Sequence, residues 1–177
     1  MALVVRELRP SDFSDVVDNY YGFYDEIREN PSFGIVLYRK KPSLSDELSW
    51  FSGLYKLMAE GDAVVIVAEM DSRVVGLCEV TRGLPDSDVS HRGFLGISVS
   101  KGQRRKGVGR ALMRGTLRRC NGRFEVIELG VLTTNTPAKK LYAKFGFKRF
   151  GLRPHSFKRG DRYFDEELMR SELRGLA

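Results

Sequence analysis
Hydrophobic and polar positions alternate from Leu3 to Arg9, the period of a strand with one buried face. After Pro10-Ser11 the period changes. Phe13, Val16, Val17, Tyr20, Tyr24 and Ile27 follow the three-four spacing of one buried helix face, with Ser11 as the expected N-cap and Asn30-Pro31 as the stop. Leu44, Leu48, Phe51, Tyr55 and Met58 repeat that spacing up to Gly61. Residues 63–70 and 73–81 are rich in β-branched residues and flank Asp71-Ser72, which predicts a hairpin. A loop over 83–93 leads to a strand over 94–100, a helix over 108–120 ended by Asn121-Gly122, and a strand over 126–132. Thr136-Pro137 is a helix start signal, with Thr136 as the expected N-cap, and Gly146 ends that helix. Residues 147–152 and 163–173 predict two last strands around Arg159-Gly160-Asp161. This order describes an α+β domain around one mixed sheet, because three consecutive strands in its middle exclude a doubly wound fold. At 177 residues the chain has the length of one domain.

The longest purely apolar run, Ala63 to Ala68, is far shorter than the roughly 20 residues a bilayer span needs. The opening Met1-Ala2-Leu3-Val4-Val5-Arg6-Glu7 lacks a basic flank ahead of an apolar stretch, so a secretory leader is not expected. Two cysteines make no disulfide framework, and a cytoplasmic protein with reduced thiols is expected. His91 and His155 are isolated, and no His/Cys/Asp/Glu group has metal-ligand spacing, so no metal is expected.

Charge is unevenly placed. Residues 1–62 carry eleven acids and seven bases, whereas the rest carry a net +11. Lys101 to Arg123 holds nine bases and no acid. Such a field suits a polyanion (nucleic acid, an acidic membrane surface or a phosphorylated cofactor), the alternative being the solvated face of a basic protein. Nucleic acid is disfavoured, because the bases gather on a glycine turn and one helix with Phe124 as the only nearby aromatic. In that turn a strand runs through Ile97-Ser98-Val99 into Arg104-Arg105-Lys106-Gly107-Val108-Gly109-Arg110. The first N–H groups of the following helix lack internal partners, and glycine permits close approach to them, so the segment suits a phosphate cradle, the alternative being a glycine-tolerant helix start with solvated arginines. It is neither a dinucleotide fingerprint nor a P-loop.

Arg104-x-x-Gly107-x-Gly109 resembles the Arg/Gln-x-x-Gly-x-Gly/Ala motif of the GNAT superfamily of N-acetyltransferases. Asn135-Thr136-Pro137-Ala138-Lys139-Lys140-Leu141-Tyr142-Ala143-Lys144-Phe145-Gly146-Phe147 is similar to the second family motif, Asn-x-x-Ala-x-x-Leu-Tyr-x-x-x-Gly-Phe. The likeness covers 63–177 as a cofactor-binding core, with 10–60 as a variable helix-loop-helix beside the acceptor. It implies a single GNAT-like domain with a mixed, mostly antiparallel sheet of about seven strands flanked by about four helices. It implies acetyl-CoA as co-substrate, its pantetheine arm on the strand at Ile97, Ser98 and Val99 and its pyrophosphate on Arg104 to Arg110. Asn135 then helps hold the second strand and cofactor, and Tyr142 protonates the departing thiolate. By spacing alone Tyr142 serves equally as core, and Asn135 as a residue that opens a helix.

Many members carry a glutamate on the strand before the basic turn, where it takes the amine proton. Here residues 94–100 contain no acid. Glu79 on the preceding strand is the first substitute and Glu128 the second; a water relay is an equal alternative, and both acids also read as ordinary polar strand residues. The acceptor implied is a small-molecule amine or a protein N-terminus, and the closing segment Phe157 to Met169 resembles branches of both kinds. A homodimer is compatible with this reading. Ten of nineteen aromatics fall between Phe13 and Tyr55, and those off the helix stripes (Tyr21, Phe33, Tyr38 and Trp50) are candidates for lining the acceptor pocket. The alternatives are an acyl-CoA sensor without turnover and a nucleic-acid-binding domain using 101–123.

Overall fold
The computed structural model describes residues 2–173. Among them run β1 (Val4–Glu7), α1 (Phe13–Glu29), α2 (Leu44–Glu60), β2 (Ala63–Met70), β3 (Arg73–Arg82), β4 (Arg92–Val99), α3 (Val108–Cys120), β5 (Val126–Leu132), α4 (Thr136–Ala143), β6 (Lys148–Arg159) and β7 (Arg162–Glu172). The seven strands form one sheet in the order β1-β2-β3-β4-β5-β7-β6. All neighbours are antiparallel except β4 and β5. No helix among the described residues is long and apolar enough to cross a membrane.

The unbroken apolar run of β2 is explained by its place. Both of its faces are covered, and Ala63 to Ala68 are all buried. Val64, Ile66 and Ala68 join the core under α3 with Leu112 and Met113, while Val65 and Val67 join the one under α2 with Phe51 and Leu54. α1 is tied to β3 through Arg73, which pairs with Asp15 and Asp18, and through Val74. Asp15 accepts from the Val74 N–H at 2.8 Å, and Asn19 donates to the Val74 carbonyl at 2.7 Å.

The parallel pair β4–β5 positions everything that follows. The two strands are in register only over Arg92–Val126, Gly93–Ile127 and Phe94–Glu128. Beyond Phe94 they part, so residues 95–99 remain paired with β3 but not with β5. The sheet is therefore splayed at its centre.

Three local expectations are corrected. Ser11 does not cap α1. The chain passes through a 3₁₀ turn at Pro10–Asp12, where the Asp12 carboxylate accepts from the Arg9 N–H at 2.7 Å and is clamped by Arg6. Thr136 does not cap α4, since Asn135 does so, its Oδ1 accepting from the Ala138 N–H at 3.2 Å. β6 extends past Leu152 to Arg159 through an irregularity between Arg153 and Phe157, where His155 has φ +54°. Pro154 and that kink erase the alternation by which a strand shows itself.

Candidate active site
A cavity of about 1060 Å³ opens where the sheet splays. β3 and β4 floor it with Leu77, Glu79, Gly96 and Ser98, α4 contributes Tyr142, and α1 contributes Asn19, Tyr20 and Phe23. α2 adds Glu47 and Trp50, and the segment 34–43 covers it. That covering segment is held from the far end of the sheet. The Arg159 guanidinium donates to the backbone carbonyls of Pro31, Phe33 and Ile35, and burial pulls its pKa down. Gly34 packs against Asn135, where an added Cβ would meet Nδ2 at 2.7 Å.

Glu79 pairs with Gly96 across β3 and β4. Its side chain leans over that glycine, and a Cβ on Gly96 would stand 3.2 Å from Oε1. The carboxylate thus occupies the space above β4 that a β4 side chain would otherwise fill. Oε2 is buried and has no hydrogen-bond partner among the described residues. Burial pushes the Glu79 carboxyl up to about 7. A carboxyl that titrates near neutrality in a cavity can exchange protons with an amine.

Tyr142 is only 7% exposed, sits in the core beneath α4 and also borders the cavity. Burial raises its phenol, helped by the neighbouring Cys78, so it holds its proton at neutral pH. Burial also pushes the Cys78 thiol up to about 12, which leaves it a thiol rather than a nucleophilic thiolate.

At the turn after β4, Gly107 has φ +88° and precedes α3, a conformation that favours glycine. No atom lies within 4 Å of where its side chain would stand. Ala111 is the residue whose N–H returns to the Gly107 carbonyl, at 3.0 Å, so the N–H groups of Val108, Gly109 and Arg110 precede the helical ladder. Arg105, Lys106 and Arg110 are exposed around this end. The Val108 side chain is buried in the core, so its backbone alone faces the turn. Gly109 lets α4 approach, since its Cβ would touch Leu141 at 3.3 Å. Ile97 and Val99 pack against the main core, and Ile97 and Ser98 both line the cavity.

Arg104 departs from expectation. Its guanidinium turns away from the cradle to Glu26 on α1, its Nε donates to the Val99 carbonyl at 2.8 Å, and it stacks on Phe33 at 4.4 Å. It fixes the turn against α1 rather than adding free charge. Glu128 is likewise engaged, ion-paired with Arg92 at 2.5 Å and away from the cavity. Of the aromatics expected in the pocket, Tyr38 and Trp50 line it. Tyr21 and Phe33 do not. Tyr21 donates to the Pro42 carbonyl, and Phe33 packs on Phe23 and Arg104. Tyr20 lines the cavity although it lies on the helix stripe, because the stripe of α1 covers the cavity as well as the core. The sequence pointed to neither Glu47 nor the Arg159 pin. Both depend on contacts between distant segments, which leave no periodic trace.

The splay and the open turn fit an extended phosphorylated thioester: an unpaired strand edge for an amide-bearing arm and N-terminal helix amides for phosphates. Similar proteins point the same way. The family model described as acetyltransferase (GNAT) family matches residues 19–147. The L-amino acid N-acetyltransferase AaaT of Escherichia coli (strain K12) is 37% identical over 82 residues, 45% of this chain and about half, 51%, of that protein. An N-alpha-acetyltransferase of Sulfurisphaera tokodaii is 30% identical over 125 residues, covering 66% of this chain and 73% of the relative. A phosphinothricin acetyltransferase from Sinorhizobium meliloti, solved with acetyl-CoA, superposes with a TM-score of 0.80 over 98% of this chain and 89% of its own, at 20% identity. With a matched family model spanning most of its length and a fold shared with that structure, the chain belongs to the GNAT family of acetyltransferases.

Proposed function
We propose that the protein transfers an acetyl group from acetyl-CoA to the primary amine of a small molecule by direct attack. The observation that carries this is the unpartnered Glu79 carboxyl, buried over Gly96 in a covered cavity that runs into the splay. Acetyl-CoA supplies the activated acyl group. Ile97, Ser98 and Val99 offer it the free edge of β4, while Gly107, Val108, Gly109, Arg110, Arg105 and Lys106 hold its phosphates. Arg104 and Asn135 act by position, the first on the turn and the second on the covering segment and α4.

Glu79 takes the proton that makes the amine neutral. A β4 N–H polarises the thioester carbonyl as an oxyanion donor. Tyr142 gives its proton to the sulfur as the C–S bond breaks and regains one from the proton that the attacking nitrogen sheds, so the products are an amide and a free thiol. No acyl-enzyme is needed, in keeping with the protonated, buried Cys78. A small acceptor is favoured over a protein N-terminus because the 34–43 segment is fastened over the cavity by Arg159. The named relatives are an L-amino acid N-acetyltransferase, an N-alpha-acetyltransferase and a phosphinothricin acetyltransferase, names that point to amine acceptors.

The test is release of free thiol from acetyl-CoA across a panel of small primary amines and N-terminal peptides, for the parent and Glu79→Gln. Thiol release with amines, strongly reduced in the variant, is expected. Tight acetyl-CoA binding with no transfer to any acceptor would instead make the protein a sensor.

A further inference from the structure
α2 opens with a reciprocal cap in which Ser43 donates its N–H to Asp46 at 2.9 Å and accepts from the Asp46 N–H at 3.2 Å. The next residue, Glu47, turns inward. It is 5% exposed, borders the same cavity as Glu79, and its Oε1 is buried with no hydrogen-bond partner among the described residues. A carboxylate held from water without a partner is costly, so a structure that keeps one there is short of a cation. Tyr20, Tyr38 and Trp50 border the same cavity, and aromatic faces together with a carboxylate suit a cationic nitrogen.

The cations lining the cavity lie at its rim. Arg39, Lys40 and Lys41 are exposed, and the Lys41 Nζ rests over the Tyr21 ring at 4.5 Å. The buried charges are therefore the two carboxyls of Glu47 and Glu79. Burial raises both carboxyls, and Asp46 adds to the rise at Glu47.

We propose that Glu47 is a specificity-determining residue that binds a second cationic nitrogen of the acceptor, so that the preferred substrate is a diamine with its reacting nitrogen beside Glu79. This rests on the reading of the cavity as the acceptor site. A monoamine of equal length leaves Glu47 buried and unpaired, and a diamine neutralises it. Glu47 makes and breaks no covalent bond.

The experiment compares matched pairs, 1,5-diaminopentane with pentylamine and lysine with norleucine. It reads kcat/KM for acetyl transfer and, separately, calorimetric binding of each amine without acetyl-CoA. The parent is expected to favour each diamine by about 30-fold or more, the discrimination a buried charge partner typically gives. Glu47→Gln is expected to shrink that ratio to about threefold or less, through KM. Equal use of pentylamine and diaminopentane by the parent overturns the proposal, and this result needs no variant to be stable. A diamine preference that survives in Glu47→Gln overturns it too. Transfer to monoamines without preference leaves the acetyltransferase reading standing while the diamine site falls. Selective diamine binding that Glu47→Gln abolishes, with no transfer to any amine, keeps the site and removes the acetyl-transfer reading.

Discussion

Glu79 can lean over β4 because the residue paired with it carries no side chain. An acid on β3 thereby stands over β4, where Gly96 leaves the space open. Its candidacy was visible in the alternation of β3, but its burial was not, since that depends on α1 and the 34–43 segment arriving from elsewhere. With its carboxyl at about 7, the base form fills as pH rises through neutrality. The acid limb of kcat/KM is expected near pH 7, and Glu79→Gln should lower the plateau by about 100-fold, within the usual range for a general base, and remove that limb. Stability should move in the opposite sense. The folded state binds this proton more tightly than the unfolded one, so its contribution is present at low pH and is lost as pH rises from the ordinary carboxyl range through about 7. Thermal melts are therefore expected to show Glu79→Gln gaining on the parent by about 1–3 kcal/mol at pH 8 and little at pH 4. For Tyr142, loss of the hydroxyl in Tyr142→Phe keeps the packing with Phe147 and should slow the chemical step by about 10- to 100-fold with acetyl-CoA affinity retained. Parent-like turnover in that variant would reduce Tyr142 to a packing residue.

At the scale of elements, the parts that the sequence showed best are those whose signals are local. The strand into the basic turn, Gly107 at the head of α3 and the Asn135–Phe147 segment each carry their cues within a few residues. The Gly107→Val variant combines a positive φ that valine resists with a side chain in the space above the α3 amides, so acetyl-CoA binding followed by calorimetry should disappear while the fold survives. The covering segment is the contrary case. Residues 31–43 have no periodic pattern and contain no regular helix or strand, and a guanidinium more than a hundred residues away holds their first half while Tyr21 holds Pro42. Arg159→Ala removes the donor to three carbonyls. Steady-state kinetics are expected to show the KM for amine rising by about tenfold, with the KM for acetyl-CoA nearly unchanged. An equal rise in both would mean that Arg159 supports the whole site rather than its cover.

Across the whole molecule, the charge imbalance that first suggested a polyanion is partly closed within the chain. Lys101 pairs with Glu29, Arg104 with Glu26 and Arg119 with Glu7, so the basic segment spends three of its cations on the acidic N-terminal part. What stays exposed at the α3 start is Arg105, Lys106 and Arg110, a footprint suited to a phosphorylated small molecule. Composition could reveal the excess but not its pairing, which is made by contacts across the fold. The junction of β4 and β5 has a mechanical consequence as well. Three residue pairs are all that stitch β1–β4 to β5–β7 within the sheet, so the molecule is two plates meeting along a short seam. A molecule lodged in that opening is mortar between the plates, and its free energy of binding is added to their cohesion, about 2.7 kcal/mol at a hundredfold excess over Kd. Hydrogen exchange should register this at the plate edges. The amides of 95–99 and 129–132 are expected to slow markedly with acetyl-CoA while those of β2, deep inside one plate, change little, and uniform slowing would mean that the halves already move as one body.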